Sequence, residues 1–218
     1  MAFKPSFNAE KGTFKVLVRL SYCRMDRKTA SVEGGKLAYR TNGLLYKETE
    51  EGKASIAVAQ QAAKHLIGKE WPGKDPVKLL QSFDSKRRPI HDGDQYFDSE
   101  GNVREHYEGT RYLKLTNDRK PKLKKRNGED CDAEEAEELF QSGNWAVAYG
   151  HYYAVKDKAK GGNGMFATLD ALQYYKKDEQ FSGGGIDDDE IDNLGDDEDD
   201  FDEKPKNKKA SSIDDDEI

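Results

Sequence analysis

The end of the chain carries so much negative charge that it confines folding to the residues before it. From Ser182 to Ile218 the sequence has 16 aspartates and glutamates against four lysines, a local net charge of −12. A segment this highly charged, without a periodic apolar pattern, cannot bury enough apolar surface to offset the entropy lost on folding. We therefore expect one folded domain over residues 1–181 and a disordered acidic tail over residues 182–218.

The residues before this tail carry the opposite net charge. Residues 1–181 contain 32 lysines and arginines against 27 acidic residues, a net charge of +5, although the whole chain sums to −7. A basic domain joined to an acidic arm is typical of a protein that binds a polyanion and holds an internal competitor for it. The alternative is an ordinary domain with a tail that only improves solubility.

The chain has two cysteines, Cys23 and Cys131, in unrelated contexts. Their spacing indicates neither a disulfide framework nor a metal site, and unpaired thiols are typical of a reducing compartment. The N-terminus has no apolar signal core, and no stretch is long enough to span a bilayer. The sequence therefore predicts a cytoplasmic protein without a membrane partner.

Apolar and polar residues alternate in the segments that we expect to form strands. In the first segment, Phe14, Val16 and Val18 face one side, and basic groups face the other. A tight turn or a bulge is expected at Asn42-Gly43, inside the second segment. The five predicted strands are Thr13–Tyr22, Leu37–Tyr46, Thr110–Thr116, Trp145–Val155 and Met165–Tyr175.

Helical periodicity is clear in one long segment, Lys53–Lys69. A shorter helix is predicted over Pro76–Phe83, because Asp75 is a good N-cap and proline is favoured at the first helical position. The segments Cys23–Gly35 and Pro89–Gly109 are rich in turn residues and are expected to be loops. Five strands, one main helix and long loops favour a mainly β fold, specifically a five-stranded OB-type barrel, which binds oligonucleotides on one face.

Three further segments complete this outline. Lys120–Asn127 is a basic run, and Glu129–Glu138 is an acidic stretch that fits either a helical turn or a loop. Gly161–Gly164 is expected to be a flexible hairpin loop between the last two strands.

Aromatic and basic residues are interleaved along the predicted strands. Proteins that bind single-stranded nucleic acid combine cations that follow the phosphates with aromatic faces that stack on unpaired bases. Tyr112 and Lys114 are the strongest candidates because both are predicted to point outward, whereas any single tyrosine could equally fill the barrel core. The basic run either clamps the strand or is a solvated loop. The candidate DNA-binding residues are Lys15, Arg19, Tyr22, Tyr39, Arg40, Arg111, Tyr112, Lys114, Lys122, Lys124, Lys125, Tyr149, Tyr152 and Tyr153.

Catalysis is indicated more weakly. His91, Asp92, Asp94, Glu105 and His106 fall close together, but their spacing matches no zinc or two-metal signature, and Asp-Gly-Asp is also ordinary turn chemistry. The sequence has no P-loop and no nucleophile pattern. We therefore expect no enzymatic activity and no cofactor, with a metal-dependent nuclease as the less favoured alternative.

The acidic tail contains a repeated motif. The hexapeptide Ile-Asp-Asp-Asp-Glu-Ile occurs at Ile186–Ile191 and again at Ile213–Ile218, and Phe201 lies between the two copies. A tail that serves only for solubility needs no aliphatic anchors, so a protein partner is expected here. The candidate partner-binding residues are Ile186, Ile191, Phe201, Ile213, Asp214, Asp215, Asp216, Glu217 and Ile218.

Short motifs along residues 13–184 occur in an order that matches a known family. They are Val18-Arg19-Leu20-Ser21-Tyr22, His91-Asp92-Gly93-Asp94, Tyr107-Glu108-Gly109 with Tyr112-Leu113, Arg119-Lys120-Pro121, Phe140-Gln141-Ser142-Gly143-Asn144-Trp145, Ala167-Thr168-Leu169-Asp170-Ala171-Leu172-Gln173 and the exit Asp178–Gly184. The chain resembles the phage and prophage single-stranded-DNA-binding proteins, akin to the replicative binding proteins of T-odd phages.

The resemblance implies an OB-type barrel that binds and protects single-stranded DNA without sequence preference in phage replication or recombination, in the host-cell cytoplasm. It also implies that the acidic tail recruits a polymerase, helicase or primase and competes with DNA. Related tails often end in an aromatic residue, whereas this chain ends in Ile218. The sequence is compatible with a homodimer. The alternative function is a protein-interaction or DNA-mimic module acting through the tail.

Overall fold

The computed structural model describes residues 3–30, 34–156 and 162–181. Within them the chain forms eight strands and three α-helices, in a mainly β arrangement. The strands are β1 (Ser6–Asn8), β2 (Thr13–Thr29), β3 (Ala38–Tyr46), β4 (His91–Asp92), β5 (Thr110–Asn117), β6 (Lys122–Lys124), β7 (Trp145–Val155) and β8 (Gly164–Lys176). The helices are α1 (Glu50–Glu70), α2 (Pro76–Ser82) and α3 (Ala133–Leu139), with 3-10 turns at Ser85–Arg87 and Gly93–Gln95.

Five strands close into a barrel. β2, β3 and β5 form an antiparallel meander, β7 pairs with both β2 and β8, and a parallel pairing of β5 with β8 at Leu115 and Ala167 completes the circle. β1, β4 and β6 extend the sheet outside this circle. A meander closed by one parallel pair is the OB-type arrangement, so the predicted fold is confirmed.

The barrel interior follows the predicted alternation. Phe14, Val16, Val18 and Leu20 of β2 are all buried in the main core. Helix α1 packs its small residues against the same core, which lets its backbone approach the sheet closely. The helix begins at Glu50, where the Thr49 hydroxyl accepts a hydrogen bond from the Gly52 amide at 3.1 Å.

The structure corrects the prediction at two places in the first strands. β2 continues to Thr29, past the loop expected from Cys23, and carries a bulge at which Tyr22 has a φ of 49°. β3 runs without a turn or bulge through Asn42-Gly43. A Cβ atom at Gly43 would lie 2.9 Å from Cγ1 of Val18, so this glycine serves close packing inside the barrel.

The remaining segments are more regular than expected. The acidic stretch contains α3, whose start is fixed by reciprocal side-chain bonds of Asp132 and Glu135. The basic run contains β6, which pairs in parallel with β8. Both predicted helices are confirmed, and Asp75 caps α2 by accepting a hydrogen bond from the Lys78 amide at 2.8 Å.

Two predictions fall outside the described residues. The acidic tail, residues 182–218, is one, and Gly161 of the expected hairpin loop Gly161–Gly164 is the other. Gly162 and Asn163 form a bend before β8, which begins at Gly164. Among the helices that the structure describes, none combines the length and apolar character needed to cross a membrane.

Candidate nucleic-acid interface

A second, smaller apolar cluster lies on the outer face of β3 and β5. Its buried members are Leu44 of β3, Tyr112 of β5 and Tyr107, which belongs to the segment Ile90–Gly109 that covers the two strand residues. The Tyr107 hydroxyl donates to Oγ of Ser21 at 3.0 Å and accepts from Nδ2 of Asn42 at 2.7 Å. Burial raises the pKa of Tyr107, so its hydroxyl stays neutral. These bonds fix the covering segment to the barrel.

A groove of about 590 Å³ opens beside this cluster. It combines four cationic side chains with three rings, His91, Tyr96 and Tyr112. The lining residues are Ser85, Lys86, Arg88, Ile90, His91, Asp92, Gln95, Tyr96, Arg111, Tyr112 and Lys114. The strand residues of this lining belong to β4 and β5, and β5 is the third strand of the barrel. OB folds bind oligonucleotides on the face of their second and third strands.

The rings of the groove are held in place by one another. His91 stacks on Tyr112 with centroids 4.9 Å apart, and Tyr96 packs 5.3 Å from Tyr112. Tyr112 is only 4% exposed, and burial raises its pKa to about 12. Burial, together with the charges of Lys114 and Arg88, lowers the pKa of His91 to about 4. All three rings are therefore uncharged at neutral pH.

The cations enter the groove from two sides. Lys114 projects from β5, with Nζ 5.8 Å from the Tyr112 ring centroid. Desolvation, followed by the charge of Lys86, lowers the pKa of Lys114. Arg88 donates to the carbonyls of Phe83 and Gln81, which fixes the 3-10 turn that carries Lys86. A lysine whose affinity for a proton is lowered by a neighbouring cation lies in a site that favours an anion.

The carboxylates near the groove are engaged in ion pairs and hydrogen bonds within the protein. Lys47 donates to Asp92 at 2.7 Å and to Asp94 at 2.6 Å, and Arg111 pairs with Asp92 at 3.3 Å. Asp94 also accepts from the Gly109 amide at 2.6 Å, and the bonds from Lys47 and Gly109 hold its pKa below the usual range. In the part of the chain that the structure describes, no three His, Cys, Asp or Glu residues form a metal-binding group.

An exposed ring continues the surface beyond the groove. Tyr22, at the bulge of β2, is 51% exposed, and its hydroxyl accepts from Nη1 of Arg104 at 2.8 Å. The same guanidinium lies 5.0 Å from the centroid of Tyr96, which lines the groove. Tyr22 is therefore joined to the groove through Arg104.

The groove brings together only part of the predicted DNA-binding set: Arg111, Tyr112 and Lys114 line it, and Tyr22 adjoins it. Tyr152 instead lies in the main core, 5% exposed, with its ring 4.9 Å from that of Phe14. We therefore leave Tyr152 out of the proposed interface.

Arg19 is engaged with the end of the described domain. It donates to the carbonyls of Gly143 and Glu179, both at 2.9 Å, and pairs with Asp178 at 3.7 Å. Its guanidinium also lies 4.5 Å from the ring centroid of Phe181. Arg19 thus fixes the segment from which the acidic tail continues.

The other candidates are distributed over the barrel. Arg40 donates to the carbonyl of Lys36, and Tyr153 is 43% exposed beside Phe166. Lys124 pairs with Asp130 and Lys125 with Glu135, so these two lysines of the basic run are neutralised by the acidic stretch. The remaining candidates are Lys15 and Tyr149 on β2 and β7, Lys122 on β6, and Tyr39, which packs against the main core.

Sequence reasoning missed several residues of the groove. His91 and Tyr96 come from the predicted loop Pro89–Gly109, and Lys86 and Arg88 lie between this loop and the predicted helix Pro76–Phe83. The only signal was that cations and rings occur together in these segments, and a loop has no periodicity from which to predict the side on which a residue lies.

Comparison with solved structures supports the same fold. The single-stranded DNA-binding protein from bacteriophage Enc34 in complex with ssDNA aligns with a TM-score of 0.62 at 20% identity, over 79% of this chain and 91% of that one. A second structure of the Enc34 protein gives a TM-score of 0.58 at 20% identity, over 86% and 97% of the two chains. At this identity the likeness concerns the fold.

Sequence comparison extends beyond the fold. The p50 protein of Acyrthosiphon pisum secondary endosymbiont phage 1 is 29% identical over 176 residues, which are 78% of this chain and 85% of that protein. A family model described as "Enterobacter phage Enc34, ssDNA-binding protein" matches residues 13–202. The predicted resemblance is confirmed: this chain belongs to the Enc34 family of phage single-stranded-DNA-binding proteins.

Proposed function

We propose that this protein binds single-stranded DNA in the groove on β4 and β5. The observation that carries the proposal is the combination of rings and four cations in one groove of about 590 Å³ beside β5, the third strand of an OB-type barrel. Membership of the Enc34 family supports it.

The chemistry of the groove favours unpaired strands. Base–aromatic stacking contributes about 1–3 kcal/mol per base and tolerates any base, because every base has a π face. In a duplex those faces are covered by neighbouring base pairs. Tyr22, which is exposed, and Tyr96, which is partly exposed, are the rings best placed to receive bases, while Lys86 and Lys114 are placed to receive phosphates.

The double variant Lys86→Ala/Lys114→Ala tests the groove. Each phosphate contact on a single strand contributes about 0.7 to the slope of log K against log salt concentration, so the slope should become shallower by about 1.4. The slope is measured by fluorescence anisotropy, with labelled oligothymidylate titrated at several salt concentrations.

The matched control is Lys64→Ala/Lys78→Ala, which removes two exposed lysines from α1 and α2, outside the groove. In this control the slope of log K against log salt concentration should stay close to the wild-type value, for single strands and duplex alike. An equal loss of slope in the two double variants would contradict binding in the groove. A preference of the wild-type protein for duplex would contradict single-strand binding.

We further propose that the protein acts in phage DNA replication or recombination in the host cytoplasm, and that its tail competes with DNA and recruits a replication protein. The opposite charges of residues 1–181 and 182–218 support the competition. Deleting Gly185–Ile218 should tighten oligothymidylate binding at low salt and abolish capture of a polymerase, helicase or primase. Unchanged affinity in this deletion would refute the competition.

A further inference from the structure

The outer face of β2, β7 and β8 carries a second set of rings and cations that shares no residue with the groove. Nζ of Lys15 lies 5.9 Å from the centroid of Phe3, and Phe3 meets Tyr175 edge-on at 6.4 Å. The guanidinium of Arg126 lies 5.3 Å from the centroid of Tyr175. Two cations are thus arranged over two neighbouring rings.

Hydrogen bonds close this set into a continuous surface. Nε2 of Gln173 donates to the carbonyl of Arg126 at 3.1 Å, and the Tyr149 hydroxyl donates to Oε1 of Gln173 at 2.9 Å. Tyr149 is in turn the register neighbour of Lys15 in the β2–β7 pairing. We name these six residues, Phe3, Lys15, Arg126, Tyr149, Gln173 and Tyr175, the β2–β8 patch.

The charge of the patch is not neutralised by the described domain. Lys15 and Arg126 make no ion pair with any residue in the ranges that the structure describes, whereas Lys124 and Lys125 next to Arg126 are both paired. Arg126 is exposed, and the rings of Tyr149 and Tyr175 are partly exposed. The patch therefore presents positive charge and ring surface together.

We infer that the β2–β8 patch is a second binding site for a single strand of nucleic acid. The inference rests on the proposed function of the groove and extends it, because a chain with two such sites holds two strands, or two segments of one strand, at once. The cations supply phosphate contacts and the rings supply stacking, the same two contributions that the groove combines.

The rings favour nucleic acid over an acidic peptide as the ligand. A run of aspartates and glutamates needs cations alone, whereas unpaired bases gain free energy from every accessible ring. The same patch on a second copy of this chain would bring like charge and would be repelled.

The test counts bound strands on the full-length protein. An oligothymidylate of about ten nucleotides, within the range covered by a single OB fold, is titrated at low salt, and native mass spectrometry gives strands per chain. The wild type should reach two. Lys15→Ala/Arg126→Ala should stop at one, with the affinity of the first strand changed less than about twofold, whereas Lys64→Ala/Lys78→Ala should still reach two.

The outcomes separate the inference from the function on which it rests. If the wild type binds one strand per chain and the patch variant is indistinguishable from it, the second site is wrong while the groove stands. A patch variant that binds the first strand more tightly would assign the patch to the acidic tail. A change in the sedimentation of the DNA-free protein would assign it to contact between copies. No binding by any variant would overturn the groove and the patch together.

Discussion

The groove and the β2–β8 patch use the same residue types but hold them in different ways. In the groove, Tyr112 is sealed beneath a covering segment and belongs to a second apolar cluster. In the patch, Tyr149 and Tyr175 lie directly on the barrel and remain partly exposed. The groove is therefore the open side of a small apolar core, whereas the patch is a set of side chains on the outer surface of the sheet.

This difference predicts where binding and folding are coupled. A ring inside a close-packed cluster cannot be removed without loosening its neighbours, whereas a ring on an open sheet surface can. Substitutions in the groove should therefore change stability and binding together, and substitutions in the patch should change binding almost alone. The following variants test this distinction.

The largest difference is expected from removing one ring in each region. Tyr112→Ala takes a buried ring out of the second cluster and should lower the free energy of unfolding by about 3 kcal/mol or more. Tyr149→Ala, its match in the patch, should cost about 1 kcal/mol because its ring already contacts water. Urea denaturation followed by circular dichroism measures both. Similar losses in the two variants would show that the groove is not a core.

Acid should destabilise the groove through His91. Its pKa is about 4 in the folded protein, against an ordinary 6.5, so it binds a proton more readily in the unfolded chain. The contribution of neutral His91 to the free energy of unfolding is then fully present above pH 6.5 and declines as the pH falls towards 4. The loss at pH 5 should be about 1–2 kcal/mol. His91→Gln should remove this part of the pH dependence, so the difference in unfolding free energy between wild type and variant should shrink from pH 7 to pH 5. A constant difference would contradict a buried, neutral His91.

The barrel strands could be predicted because the alternation of apolar and polar residues along a strand follows burial directly. Phe14, Val16 and Leu115 lie inside as their spacing indicates, since a strand with one face in a core must alternate. Gly43 misled the prediction, because a glycine that allows close approach of Val18 is indistinguishable in sequence from a glycine that allows a turn.

The site was only partly predictable because its residues come from both strands and covering segments. Lys114 on β5 was found from strand alternation, whereas Tyr96 and Lys86 lie in segments whose positions depend on long-range bonds such as that of Tyr107 to Ser21. Alternation also does not distinguish one outer face from another, so Lys15 was assigned to the same surface as Lys114. Only the closed barrel shows that their strands, β2 and β5, are not neighbours, because β3 separates them on one side and β7 and β8 on the other.

The smallest difference is expected from removing one hydroxyl in each region. Tyr107→Phe leaves Oγ of Ser21 and Nδ2 of Asn42 without their partner, and because Ser21 is buried, the variant should lose about 1 kcal/mol of unfolding free energy. Tyr149→Phe removes an equivalent bond to Gln173, but water can reach that amide, so the loss should be about 0.5 kcal/mol or less. Chemical denaturation resolves the two values if both variants are measured beside the wild type. Equal values would mean that water reaches the Tyr107 bonds as freely as those of Tyr149, and that the covering segment is held to the barrel by its apolar contacts alone.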